Sequence, residues 1–121
     1  MKSKISVIIK QPGRVPYKTA ISPTLKNLQT TVGGYIETVT IAEDAVIICN
    51  EEGRIIGLPH NCKVCGVDFV GTIMFAGVSG DDFADFPLSF QSFKKCFLDY
   101  GRKDEWERNI FAATSPMRTG C

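Results

Sequence analysis

A single histidine among 121 residues leaves this chain poorly supplied with the commonest general base. No serine or cysteine shows a legible base partner. Nucleophilic catalysis would fall to Cys62 or Cys65 activated by His60, without the third group that orients such a base. Gly77 to Asp82, GVSGDD, lacks the lysine and the following helix of a phosphate-binding loop. Acidic pairs are present, but Glu51-Glu52 and Asp81-Asp82 fall in turns, where carboxylates are simply solvated, and Asp104-Glu105 suits the start of a helix. The chain is therefore expected not to be an enzyme. It also lacks an excess of charge: 14 basic and 13 acidic side chains give a net +1, which argues against a duplex-DNA binder. No apolar run reaches the ~20 residues that span a bilayer, and MKSKISVIIKQPG has no signal-peptide core, so no membrane association is expected. Five cysteines, an odd number, suit reduced thiols in a cytoplasmic setting.

What is present is enough for one folded domain, with hydrophobic residues at 44%. Val32 to Pro59 organises the rest. Gly33-Gly34 ends a helix, and three apolar runs follow, YIETVTI, AVIICN and RIIGL, separated by the acidic turns Ala42–Asp44 and Asn50–Gly53. Turns this short predict hairpins, hence a three-stranded antiparallel meander. In the first run Tyr35, Glu37, Val39 and Ile41 share one face, and Ile36, Thr38 and Thr40 the other.

Before it, Lys4 to Lys10 reads as a buried strand closed by the turn cluster QPGRVP, with Arg14 at the tip. Ser22 then caps a short helix with Pro23 at its first position, Leu25, Leu28 and Val32 on one face, and Gly33 or Gly34 in the left-handed region. After it, HNCKVCGVD reads as a loop, Phe69 to Val78 as one central strand and SGDDFADFP as a turn. Phe90, Phe93 and Phe97 recur at helical spacing, and a further helix begins near Asp104. The expected architecture is α+β: an antiparallel sheet of about five strands, one helix after the first strand, and one or two C-terminal helices on the same face. A single domain covers 1–113, and 114–121 is a flexible tail.

Gly33-Gly-Tyr-Ile-Glu37, Cys49-Asn-Glu-Glu-Gly53, Gly57-Leu-Pro59, Gly71-Thr72 and Gly80-Asp-Asp-Phe83 together resemble the domain of unknown function 3846 family, small proteins of phages and Gram-positive bacteria. The resemblance runs from about Ile5 to Phe86 and implies a mobile-element setting in a bacterial host cytoplasm, with no activity assigned. In outline the chain also resembles the Thoeris anti-defence sponge proteins, small α+β oligomers that hold cyclic nucleotide-derived signals without degrading them.

Two local chemistries stand out. His60, Cys62 and Cys65 can supply three ligands to zinc, with Cys49 or Cys96 as a fourth. No second pair at metal-binding spacing is present, so ordinary thiols are the preferred reading and no cofactor is expected. Arginines can hold phosphate through bidentate hydrogen bonds; the candidates are Arg14, Arg54, Arg102 and Arg108. Tyr100 and Trp106 flank Arg102, which suits a stacked base beside a bound phosphate. Gly71 and Gly77 would leave room on a strand for a planar group, with Phe75 between them as a stacking face. The dense phenylalanines favour a homodimer or higher homo-oligomer. The expected function is sequestration of a small nucleotide-type immune signal; the alternative is a protein-protein inhibitor or adaptor binding a host protein.

Overall fold

The computed structural model describes residues 3–97, with side chains placed as far as Lys95. β1 (Ile5–Lys10) is buried along almost its whole length, as its β-branched content requires. A turn in which Arg14 N–H donates to the Gln11 carbonyl (3.1 Å) leads back into β2 (Tyr17–Ile21), paired with β1 from Ile5–Ile21 to Ile9–Tyr17. This strand is absent from the sequence reading. YKTAI is polar and largely exposed because it forms an edge, so it carries no apolar alternation to detect.

α1 (Leu25–Val32) thus follows the second strand, not the first. Its cap is Thr24, whose Oγ1 accepts from Asn27 N–H at 3.2 Å; Ser22 contributes its carbonyl to Asn27 Nδ2 instead. Leu28 and Val32 are buried, whereas Leu25 is 58% exposed and lies off the packed face. Gly33 closes the helix at φ +84, where a side chain would be strained.

β3 (Ile36–Ala42) and β4 (Ala45–Asn50) form the expected hairpin, with a bulge between Thr40 and Ala42. The expected third strand at RIIGL does not form. Residues 51–57 are a wound turn in which Ile56 N–H donates to Glu52 and Leu58 N–H to Gly53. The buried Asn50 organises it: Oδ1 accepts from Glu52 N–H (2.8 Å) and Nδ2 donates to the Val32 carbonyl (3.2 Å), so one side chain fixes both this turn and the end of α1.

The supposed loop HNCKVCGVD is a second hairpin, β5 (His60–Val64) and β6 (Val67–Val70). Cys65 and Gly66 both have positive φ (49 and 83), the signature of a two-residue mirror-image turn that matches strand twist. Gly71, at φ +74, then breaks what looked like one strand. Phe69 and Val70 finish β6, and β7 (Ile73–Ser79) begins beyond. The SGDDFADFP turn contains the short β8 (Asp82–Ala84), and α2 (Phe90–Phe97) follows.

Among the described residues the main sheet has six strands rather than five, ordered β2-β1-β7-β4-β3, with β8 also on β7; β5-β6 is separate. The placement of a central strand after Pro59 holds, since β7 borders both β1 and β4. Both faces of the sheet are covered, and the two helices lie on opposite faces rather than together. On one face, Leu28 and Val32 of α1 meet Val7, Ile9, Ile48 and Met74. On the other, Cys62, Val64 and Phe69 of the second hairpin and Phe93 of α2 meet Ile8, Ile47 and Phe75. Asn61, also buried, fastens the hairpin to the sheet by donating to the Lys10 and Gly71 carbonyls (2.8 and 2.7 Å).

Beyond Ile8–Phe75 the β1–β7 ladder stops, because the chain at Asp85–Phe86 enters there. Phe86 N–H donates to the Ser6 carbonyl and Ser6 N–H to Asp85 Oδ1, both at 2.8 Å. A Cβ on Gly77 would fall on the Asp85 carbonyl oxygen, so only glycine fits.

Candidate functional site

Of the seven expected ligand-binding residues, Tyr100, Arg102, Trp106 and Arg108 lie outside the described residues. Phe75 is a core residue. Its ring meets Phe86 and Phe93 edge-to-face at centroid distances of 5.9 and 4.8 Å, so it offers no stacking face to a ligand. The room expected at the two glycines is taken up from within, by Asp85 against Gly77 and by Leu58 Cδ1, 2.6 Å from a Cβ built on Gly71. Arg14 is exposed in the β1–β2 turn, and Arg54 lies beyond β4 in the 51–57 turn. The structure does not bring Arg14, Arg54 and Phe75 to a common site.

The histidine–cysteine cluster is also separated by its own hairpin. Cys62 is fully buried, Cys65 is exposed at the turn, and His60 pairs with Asp68 across the ladder (Nε2–Oδ1 3.2 Å). Among the described residues no group of three or more His, Cys, Asp or Glu is placed to hold a metal ion. Cys49 lies in the core on β4, paired with Glu37 of β3. Burial pushes its thiol up to about 11, with the charge of Glu37 adding to the rise and that of Arg54 opposing it.

Arg54 lines a cleft. Its Nη2 donates to the Asp68 carbonyl, tying the 51–57 turn to the second hairpin. Between these two and the exposed side of β3 runs a groove of about 330 Å³, with Cys49 and Val39 on its floor and Glu37, Glu51, Ile55 and Val67 around it. The hydrogen bond from His60 holds the Asp68 carboxyl below its usual 3.8, with Lys63 and Arg54 helping and partial burial opposing. On the other side of the turn a second groove, about 410 Å³, is bordered by Tyr35, Ile56, Gly34 and Lys26. A third groove, about 640 Å³, lies near β8 and is lined by Asp81, Asp82 and Asp85 with Phe83 and Ile5.

The side chains that the sequence reading missed are those of the turn. Ile55 is 85% exposed, Ile56 56% and Tyr35 64%. The available signal was an apolar pair set directly after an acidic turn with no further strand-forming residue behind it.

Residues 3–98 match the protein family described as Domain of unknown function (DUF3846). The chain belongs to the DUF3846 family. The match extends past Phe86 to take in α2, and it spans both grooves beside the 51–57 turn, so that region is part of the DUF3846 domain. No curated protein and no solved structure matches the chain. Among the described residues no helix is long and apolar enough to cross a membrane.

Proposed function

We propose that this DUF3846 protein is a non-enzymatic docking module, an inhibitor or adaptor that engages a partner protein through Tyr35, Ile55 and Ile56. The observation that supports it is the exposure of Ile55 and Ile56 on a turn whose backbone is held by Asn50 and Gly53. Single exposed apolar residues are ordinary. Here three large ones flank adjoining grooves, and the turn that presents two of them is already ordered, which lowers the conformational cost of binding. The phage or mobile-element setting implied by the family resemblance would make the partner a host protein.

Sequestration of a nucleotide-type signal draws less support from the same region. Arg54 is engaged by the Asp68 carbonyl, and Glu37, Glu51 and Asp68 around its groove oppose a polyanion.

Immobilised wild-type protein, an Ile55→Ser/Ile56→Ser variant and a Val15→Ser control, altered at a remote exposed apolar residue, would be compared for protein captured from a bacterial lysate. The captured protein would then be purified and its affinity measured. Retention by wild type and control with about tenfold loss by the double variant is the expected result. Equal affinity for all three overturns the docking reading. A nucleotide released on heat denaturation would favour sequestration. A concentration-dependent dimer abolished by the double variant would make the partner a second copy of the chain.

A further inference from the structure

The groove between β3 and β6 has a definite charge. Glu37, an exposed residue of β3, and Glu51, at the start of the turn, have no ion pair among the described residues. The basic side chain between them, Arg54, is directed to a backbone carbonyl of the opposite wall. The third carboxylate, Asp68, is shared with His60. The walls are strand-built: β3 is the last strand of its sheet, and β6 pairs with β5 alone among the described strands. Ile55 and Val67, both exposed, complete an apolar rim around the anionic centre. A volume of about 330 Å³ is at the lower limit of the ~300–1,000 Å³ typical of small-molecule sites, and suits one or two side chains better than a whole cofactor.

We infer that this groove receives an extended segment of the partner protein that carries a lysine or arginine toward Glu37 and Glu51 and apolar side chains against Ile55 and Val67. This rests on the docking reading of the Ile55–Ile56 turn and names the chemistry of its partner. Charge complementarity favours the cation, because Glu37, Glu51 and Asp68 outnumber Arg54 in the lining and the first two form no ion pair among the described residues. The apolar rim then excludes water from that contact, which strengthens it. The outer edge of β3 offers backbone groups to an extended chain, the arrangement by which peptides add to sheets.

The full-length ¹⁵N-labelled chain would be titrated with three blocked pentapeptides of sequence Thr-Val-X-Val-Thr, X being arginine, glutamine or glutamate. The arginine peptide is expected to shift the amides of Glu37, Val39, Ile55 and Val67. Binding should weaken about tenfold with glutamine and further with glutamate. Glu37→Gln, a change at an exposed side chain that leaves the core untouched, should reduce the preference for arginine over glutamate about tenfold, and added salt should reduce it as well. Equal binding of the three peptides, or arginine-dependent shifts confined to other surfaces, overturns the inference. If the groove stays silent while Ile55→Ser/Ile56→Ser still loses the captured protein, the cationic segment is wrong and the docking turn stands. If the captured protein ignores that double variant, both fall together.

Discussion

One face of the sheet is roofed by a single eight-residue helix, the other by a hairpin and a helix that arrive from later parts of the chain. α1 reaches its face directly from the neighbouring strand β2 and contributes two buried side chains, Leu28 and Val32. The opposite face is closed by Cys62, Val64, Phe69, Phe86 and Phe93, with the rings of Phe86 and Phe93 edge-to-face with Phe75 and with each other. A roof made of one local element shows in the sequence as periodicity and caps. A roof assembled from distant pieces shows only once the pieces meet.

The largest effect that sharpens this contrast is expected from Phe93→Ala. It empties a fully buried aromatic site and should lower unfolding stability by about 3–5 kcal/mol in urea titrations. Leu28→Ala should cost less, about 2–3 kcal/mol, because a short surface helix can settle into the space. A Leu28→Ala loss equal to or above that of Phe93→Ala would break the ranking. Asn50→Ala comes next, at about 1–3 kcal/mol, since it leaves the Val32 carbonyl and the Glu52 N–H without their partner. Hydrogen exchange should then show the end of α1 and the 51–57 turn opening together.

The smallest effect is on the hairpin side and depends on pH. The folded-state pKa of Asp68 is depressed, so its contribution is present above the ordinary 3.8 and is lost as pH falls through the folded value. Asp68→Asn should therefore be less stable than wild type near neutrality, with the gap closing in acid. A gap that is independent of pH would remove the His60–Asp68 pair from the account.

Much of the helix side was legible before the fold was known. Leu28 and Val32 at i, i+4 and the glycine at positive φ follow from local rules, and β1, β3 and β4 follow from β-branched content and short turns. The hairpin side was obscured by residue types with several uses. His60, Cys62 and Cys65 look like ligands, yet the strand period buries the first cysteine and a tight turn exposes the second. β2 escaped notice because an edge strand needs no apolar face. The third strand of the meander was misread because Ile55-Ile56 has strand composition, whereas Asn50 and the glycines at 53 and 57 wind that segment into a turn. Among the expected ligand residues, Phe75 is in the core for a related reason. Phe75 and the two glycines describe close packing inside the chain, and close packing and a ligand cleft share the same sequence signature.

The junction at Ser6 and Asp85 also sets a timetable for synthesis. These partners are 79 positions apart, so during synthesis β1 has β2 on one edge and nothing to complete the other until β7 and the segment after it emerge. At about 5–20 residues per second, the interval between Ser6 and Asp85 lasts ~4–16 s, during which an Ile- and Val-rich edge is open to any neighbouring chain. Truncated chains that end before Asp85 should therefore aggregate as they are made. The chain should depend most on chaperones in that interval, after residues 51–57 have been made but before Asp85 arrives.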